Sequence, residues 1–334
     1  ASGQGGGGAY EGDIAVAHDY SPRITVYPWS SGFGTKYANP ATLPPGSGRG
    51  VAFSPDGADI AVAHLNTPYI SAYPWSSGFG TKYANPSTFP PAYSIGNDVA
   101  FSPDGADIAL AHTGSPRFSV YPWSSGFGTK YANPASLPAS DGYGVAFSPD
   151  GADIAVAHGG SPYISAYPWS SGFGTKYANP STLPAGQGIG VAFSPDGADI
   201  AVAYSTTPYI TVYPWSAGFG TKYANPSTLP TGTGRGVAFS PDGADIAVAH
   251  STSPSIAVYP WSSGFGTKYA NPATLPTGSG IGVAFSPDGA DIAVAHIGSP
   301  YITVYPWSSG FGTKYANPST LPTNNGLGVA FSPI

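Results

Sequence analysis

The six histidines of this 334-residue chain occupy one position of an internal repeat, which Tyr204 takes in the remaining copy. Imidazole is a common metal ligand and titrates near neutrality, so these histidines could form a metal site or a pH switch. The histidine strand should stand one strand spacing, about 4.8 Å, outside the innermost strand of its repeat. Equivalent nitrogens of neighbouring repeats then lie well beyond a zinc–nitrogen bond of about 2 Å. We expect a packing or hydrogen-bonding role and no metal. The positions are His18, His64, His112, His158, His250 and His296.

Paired aspartates and a tryptophan also recur in the repeat. Asp56 and Asp59, in the segment SPDGAD, could be calcium ligands. Calcium takes six or more oxygens, whereas this turn offers two carboxylates, so a turn-stabilising role is favoured. The tryptophans, such as Trp75, could be sugar-binding platforms, but their place at the end of a strand favours a core role.

Catalysis requires a set of side chains that occurs once, and almost every polar residue here occurs in multiples of the repeat. The only glutamate, Glu11, lies in a glycine-rich leader. No Ser/His/Asp spacing, phosphate loop or metal cluster stands out. The sequence therefore predicts a protein that is not an enzyme and needs no cofactor.

The composition limits the possible partners. The formal net charge is −6, and only 8% of residues are charged, which argues against binding nucleic-acid phosphates. No apolar run approaches the length of a membrane span, so membrane insertion is not expected. Cys and Met are both absent, and a lack of oxidisable sulfur favours an extracellular, cell-surface or virion location.

A repeat of 46 residues determines the expected fold. The segment DIAVAH, or a close variant, occurs seven times, and two extra residues near 90–98 lengthen one spacing to 48. Each unit contains VAFS as strand a, IAVAH as strand b, YITVYPW as strand c and TKYANPSTLP as strand d, with Asp-Gly marking the a–b hairpin. Lys and Pro in strand d are typical of an exposed sheet edge. The DIAVAH segments begin at Asp13, Asp59, Asp107, Asp153, Asp199, Asp245 and Asp291.

The two ends of the chain complement each other. The first unit lacks strand a and has GGGGAYEG instead, and the chain stops after VAFSPI. We therefore predict an all-β, seven-bladed β-propeller of four-stranded antiparallel blades, closed by the C-terminal strand 329–333. The expected domain is single, 1–334. Blade 1 combines 9–45 with 329–333, and further blades start near residues 51, 99, 145, 191, 237 and 283.

The order VAFSPDGADIAVAH…YITVYPW resembles WD40 and YVTN-type propeller repeats over essentially the whole chain. Both families carry a similar FSPDG hairpin, which implies a propeller fold. The chain departs from WD40 because each Trp is followed by Ser rather than Asp, as at Trp75. The near-identical blades are also similar to those of some tailed-phage virion and microbial surface proteins.

Differences between copies collect in the b–c and d–a loops, which should share one face of the disc, called here the variable face. The a–b and c–d turns on the other face hardly change. The variable loops combine Tyr and Arg with Ser, Gly and Asn, a composition typical of recognition loops. The candidate ligand-binding residues are Tyr20, Arg23, Arg49, Tyr69, Tyr93, Arg117, Tyr143, Tyr163, Tyr209, Arg235 and Tyr301.

These patterns predict a non-enzymatic recognition or adhesion propeller that binds a glycan or protein on a surface through its variable face. One alternative is a multivalent lectin with up to seven equivalent sites built from YPWSSGFGTKYANP. Another is an architectural component of a virion or filament. Drift of unconstrained loops would also explain the variable face, because Asp-Gly and Gly-Phe-Gly turns resist change.

Overall fold

The computed structural model describes residues 10–333, and these form seven separate sheets of three antiparallel strands each. The sheets are the blades of a seven-bladed β-propeller, as predicted. The described residues contain no helix. It follows that no helix among them could cross a bilayer.

The inner strand of each blade begins with glycine and ends with phenylalanine. Inner strands of neighbouring blades touch one another around a central channel. From blade 2 through blade 7 and then blade 1, they are β3 (Gly48–Phe53), β6 (Gly96–Phe101), β9 (Gly142–Phe147), β12 (Gly188–Phe193), β15 (Gly234–Phe239), β18 (Gly280–Phe285) and β21 (Gly326–Phe331).

The middle strand is the most buried element of each blade. All six residues of the strand Asp59–His64 are buried, since the sheet is covered on both faces by neighbouring blades. In blades 1 to 7 the middle strands are β1 (Gly12–His18), β4 (Asp59–His64), β7 (Asp107–His112), β10 (Asp153–His158), β13 (Asp199–Tyr204), β16 (Asp245–His250) and β19 (Asp291–His296).

The outer strand is rich in β-branched and aromatic residues, which favour extended structure. In blades 1 to 7 the outer strands are β2 (Ile24–Trp29), β5 (Ile70–Pro74), β8 (Phe118–Pro122), β11 (Ile164–Pro168), β14 (Ile210–Pro214), β17 (Ile256–Pro260) and β20 (Ile302–Pro306).

The predicted fourth strand is not a regular strand. In blade 1 the segment after Phe33 follows β2, with Gly34 N donating to Pro28 O at 2.8 Å and Tyr37 N to Val26 O at 3.0 Å. An isolated bridge joins Phe33 to Trp29, and the same bridge recurs in every blade. The pairing stops before Pro40, which has no N–H to continue a ladder. The blade therefore has three strands and an irregular outer segment.

The chain ends close the ring as predicted. β21 pairs with β1, with Val329 opposite Val16, so blade 1 has the strand order β2-β1-β21. Ser332 N donates to Asp13 O at 2.8 Å, and Asp13 N donates to Ser332 Oγ at 2.9 Å. Ser54 and Asp59 make the same two bonds within the intact a–b turn of blade 2. The two chain ends thus reproduce a turn that is continuous elsewhere.

The hydrophobic cores lie between blades. One core, for example, contains Ile70 from blade 2 with Val99, Ile108 and Trp123 from blade 3. Each blade is thus covered on both faces by its neighbours, and the ring leaves its axis open as a channel.

Candidate functional site

The channel contains a cavity of about 410 Å³, within the range of small-molecule sites. The second residue of each inner strand lines it, as do the third and fourth residues of most of these strands. The second residues form a ring of mixed chemistry, unlike the near-identical residues elsewhere in the blades. In blade order from 2 to 7 and then 1, they are Arg49, Asn97, Tyr143, Ile189, Arg235, Ile281 and Leu327.

The third residue of the inner strand is glycine in six blades and Asp98 in blade 3. Backbone contact explains the glycines, because a Cβ on Gly144 would lie 2.7 Å from the carbonyl oxygen of Ile189 in the next blade. A Cβ on Gly190 would lie 2.6 Å from Arg235 O. Asp98 is the exception with a Cβ, and its carboxylate contacts a backbone donor of blade 4.

Both carboxylate oxygens of Asp98 accept a backbone hydrogen bond. Val99 N donates to Oδ1 at 2.9 Å, and Val145 N donates to Oδ2 at 3.1 Å. Burial raises the pKa of Asp98 to about 7, because desolvation outweighs the lowering effect of these two bonds. The carboxylate therefore exchanges its proton near neutral pH.

Two of the residues that line the cavity are arginines with a buried, unsatisfied donor. The buried Nε atoms of Arg49 and Arg235 have no hydrogen-bond partner among residues 10–333. Burial lowers the pKa of Arg49, with the charges of Asp19 and Tyr143 acting in the opposite direction. A side chain with this many fixed donors suits an anionic or carbonyl oxygen.

The environment of Tyr143 completes this part of the wall. Burial raises the pKa of the Tyr143 phenol, and the nearby carboxylate of Asp141 raises it further. The amide of Gln187 and the charge of Arg49 act in the opposite direction. The phenol therefore stays protonated at neutral pH and can donate a hydrogen bond.

Three of the predicted ligand-binding residues meet in the channel: Arg49, Tyr143 and Arg235. The other eight lie in the b–c and d–a loops. Contacts such as Ser47 Oγ to Asp19 O, at 2.7 Å, place these two loop sets side by side on one face, as predicted.

Six of the eight loop residues occupy one turn position, directly after a conserved proline of the repeat, with φ between 70° and 84°. The turn is closed by a backbone bond such as Arg23 N to Tyr20 O, at 2.8 Å. With one such turn in each of six blades, these side chains are distributed around the face and do not converge. The six are Arg23, Tyr69, Arg117, Tyr163, Tyr209 and Tyr301.

Several of these side chains have local roles. Tyr69 is 2% exposed, and Arg117 pairs with Asp141 at 3.1 Å. Tyr20 and Tyr93 project into solvent, with 65% and 99% of their surface exposed.

Sequence reasoning missed Asp98, Asn97 and Gln187. The sequence did contain a signal for Asp98, because the inner strand reads Gly-x-Gly-Val-Ala-Phe in six blades and GNDVAF in blade 3. The expectation that no side-chain set occurs only once was therefore wrong: the channel wall is such a set.

The recurrent histidines have the expected packing role. His64 is buried, and its Nε2 lies 3.0 Å from Ser71 Oγ of the adjacent strand. Tyr204 replaces histidine with its hydroxyl 2.8 Å from Thr211 Oγ1. Within residues 10–333, no three His, Cys, Asp or Glu side chains come together as a set that could hold a metal ion.

The recurrent aspartates and tryptophans are also structural. Asp56 Oδ1 accepts hydrogen bonds from Ser54 Oγ at 2.6 Å and Ala58 N at 3.0 Å, which stabilises the a–b turn. Trp123 packs in a core between blades, and its Nε1 donates to Asp59 Oδ2 at 2.8 Å.

No protein-family model matches the sequence, and no curated protein matches it. Solved structures do match in fold. A protein from Bacteroides uniformis, provisionally named a 6-phosphogluconolactonase, has a TM-score of 0.74 at 17% identity, over 96% of this chain and 99% of that chain. The periplasmic gluconolactonase of Pseudomonas aeruginosa has a TM-score of 0.71 at 15% identity, over 97% and 99%. A protein from Lactobacillus plantarum has a TM-score of 0.77 at 15% identity, over 96% and 99%.

These neighbours correct the functional prediction. The expectations of a non-enzymatic adhesion propeller, a lectin or an architectural component were wrong, as was the exclusion of an enzyme, because the neighbouring propellers include ones named as gluconolactonases. At identities of 15–17%, the structural similarity shows the fold alone. The predicted resemblance is confirmed as a propeller repeat, and none of the three neighbours has a WD40 or phage name.

Proposed function

We propose that this protein hydrolyses a small lactone in its central channel, with Asp98 as the general base. One observation carries the proposal: Asp98 is the single side chain at a position that is glycine in the other six blades, and its carboxylate lies in the wall of the cavity. Gluconolactonase names among the structural neighbours support the same reaction class.

The base has suitable chemistry. Each Asp98 oxygen accepts one backbone N–H, which leaves lone pairs available to a water molecule. A pKa of about 7 is close to the value at which a general base is most effective at neutral pH. Asp98 takes a proton from water as the water oxygen bonds to the lactone carbonyl carbon. The ring carbon–oxygen bond then breaks, and the leaving oxygen takes the proton, which gives a hydroxy acid.

Arg49 is placed to stabilise the negative charge that develops on the carbonyl oxygen. It precedes Gly50, and a Cβ on Gly50 would lie 2.8 Å from Asp98 Oδ1, so the two strands are in contact at this level. Arg49 lines the cavity and carries several N–H donors in a fixed geometry. Fixed donors in a partly desolvated site contribute strongly to catalysis of acyl transfer.

The location of the protein is part of the same proposal. The neighbour from Pseudomonas aeruginosa is named as periplasmic, which supports a site of action outside the cytoplasm.

The test is continuous titration of acid release from glucono-δ-lactone, 6-phosphogluconolactone and simple γ- and δ-lactones, with the uncatalysed rate subtracted. We expect Asp98→Asn to lower kcat by about 10²- to 10⁴-fold. Asp98→Gly introduces the residue found at this position in the other six blades. This variant should fold and should lose as much activity as Asp98→Asn. Asp242→Asn, on an exposed a–b turn, is the matched control with full activity. Wild-type protein that hydrolyses none of these lactones would overturn the proposal.

A further inference from the structure

The wall of the channel is divided into two chemically different arcs. Blades 2 to 4 contribute Arg49, Asn97, Asp98 and Tyr143 at the second and third positions of their inner strands. Blades 7 and 1 contribute only apolar side chains and glycines. This apolar arc consists of Ile281, Val283, Ile297, Leu327 and Val329.

The fourth-position valines of blades 6, 7 and 1 are more exposed than those of blades 2 to 5. On the polar side, Val99 and Val145 are each 4% exposed and are covered by the wall. On the apolar side, Val283 and Val329 are partly exposed. Ile297, from a b–c loop of blade 7, is 39% exposed and extends the apolar surface toward the variable face. Ile189 of blade 5 and Val237 of blade 6 are also partly exposed, so apolar surface extends from blade 5 to blade 1 and is interrupted at Arg235.

Blade 7 of the apolar arc lies opposite the polar arc, whereas blade 1 is adjacent to it. In a ring of seven blades, the inner strands opposite β6 of blade 3 are β15 and β18 of blades 6 and 7. A lactone whose carbonyl group lies at Asp98 therefore directs its far side between Arg235 of blade 6 and Ile281 and Val283 of blade 7. Arg49 and Arg235 border the apolar arc, one in each adjacent blade.

A sugar lactone fits the apolar arc poorly, because hydroxyl groups that lie against it would meet side chains that offer no hydrogen-bond partner. Removing a hydroxyl from water without a partner is unfavourable, whereas burying a methylene group is favourable. The cavity of about 410 Å³ has room for roughly 14 water molecules at about 30 Å³ each. That volume accommodates a lactone ring with a short hydrocarbon chain.

We infer that the substrate is a lactone bearing an alkyl substituent, and that blades 7 and 1 hold the substituent. This inference rests on the proposed lactone hydrolysis and specifies the substrate class for the same site. It differs from the hydrophilic lactones after which the structural neighbours are named.

The test uses δ-valerolactone, δ-octalactone and δ-decalactone beside glucono-δ-lactone. We expect kcat/KM to rise about threefold to fourfold for each added methylene until the cavity is filled. Ile281→Asn and Leu327→Asn introduce the residue that the chain itself has at this ring position in blade 3, and each should abolish the rise. Leu275→Asn makes the same kind of change at an exposed residue that does not line the cavity, and should retain it.

Binding separates the two proposals. Calorimetry with the Asp98→Asn variant measures affinity for the same series without turnover, and affinity should increase with chain length. Wild-type protein that binds the longer lactones more tightly yet hydrolyses none would contradict the proposed reaction and leave the substrate class supported. Hydrolysis of glucono-δ-lactone with no gain from the alkyl chain, in rate or affinity, would overturn the inference alone.

Discussion

Trp29 Nε1 donates a hydrogen bond of 2.9 Å to Asp291 Oδ2, joining side chains 262 residues apart in the sequence. The bond connects blade 1 with blade 7. An equivalent bond joins each of the six remaining pairs of neighbouring blades. One example is the bond from Trp75 Nε1 to Asp13 Oδ2 at 2.8 Å. The second oxygen of Asp291 accepts the hydroxyl of Tyr315 at 2.8 Å. The boundary between blades 1 and 7, where the two chain ends meet, is therefore stabilised by the same side-chain bond as the other six boundaries.

Replacement of Trp29 by phenylalanine removes this N–H and keeps an aromatic ring in the core. Asp291 is 4% exposed and would lose one of its two side-chain donors. We expect the free energy of unfolding in urea to fall by about 1.5–3 kcal/mol, the range for a hydrogen bond to a charged group. Trp261→Phe, at an internal blade boundary, is the matched variant. Equal stability of wild type and both variants would contradict a structural role for the bond.

Truncation after Gly328 should open the ring. It removes the pairing of Val329 with Val16 and the contact of Phe331 with Trp29, whose ring centroids lie 5.9 Å apart. We expect a large fall in the midpoint of thermal unfolding, followed by circular dichroism. A synthetic peptide of residues 326–333, added in excess, should restore part of the loss by adding the missing strand. A truncated chain that melts like the intact protein would show that closure contributes little.

Acid should destabilise the protein through its histidines. Burial lowers their pKa to about 4 from the ordinary 6.5. The unfolded chain then binds more protons between pH 6.5 and pH 4, so this contribution is complete above pH 6.5 and is lost as the pH falls toward 4. One histidine corresponds to roughly 3 kcal/mol over that window at about 1.36 kcal/mol per pH unit. The raised pKa of Asp98 makes acid stabilising at that one site, but six histidines have the opposite effect on stability.

The chain provides its own control for this pH dependence. Tyr204 fills the histidine position in blade 5 and bonds a threonine, Thr211. His18 and His296 also bond threonines, at 2.9 Å, so His18→Tyr and His296→Tyr are matched substitutions. The double variant should lose less stability between pH 7 and pH 4.5 in urea titrations. An unchanged pH dependence would show that other groups cause the acid effect.

Ala257→Ser should stabilise blade 6. Alanine here replaces the Ser or Thr found at this position in the other six blades, and both ring nitrogens of the buried His250 lack a partner among residues 10–333. A new hydroxyl bond should add about 0.5–1.5 kcal/mol to the free energy of unfolding. Ser165→Ala removes the equivalent bond of His158, 3.0 Å long, and should cost a similar amount. A destabilised Ala257→Ser variant would indicate that the serine does not fit.

The rate of lactone hydrolysis should depend on pH through Asp98. Below its pKa of about 7 the carboxyl group is protonated and cannot accept a proton from water. We expect kcat/KM to rise about tenfold per pH unit well below pH 7 and to level off above it. A profile that is flat from pH 5 to 9 would exclude Asp98 as the base.

The repeat predicted most of the fold, because identical segments must form identical elements, and the broken units at the two ends are complementary. The prediction of a fourth strand was wrong for a local reason. The segment after Phe33 makes a few backbone bonds with β2, but Pro40 ends the pairing, and sequence periodicity does not reveal where a ladder stops.

The site was only partly predictable. Arg49, Tyr143 and Arg235 were candidates because they differ between copies, but they were grouped with loop residues such as Tyr93. Assigning them to the channel requires knowing that their strands are innermost and which side chains face the axis. Asp98 was visible as an exception to glycine in the sequence, yet its pKa depends on burial that only the assembled ring produces.

The contact between Gly144 and the backbone of the next blade has a consequence for how such a protein can diverge. Because even a methyl group there would lie 2.7 Å from Ile189 O, the diameter of the channel is fixed by the main chain. Substitutions at the neighbouring second positions can therefore alter the chemistry of the wall without altering its dimensions. A chain of seven near-identical blades has seven such positions. Each can then mutate independently while the surrounding copies stay nearly identical.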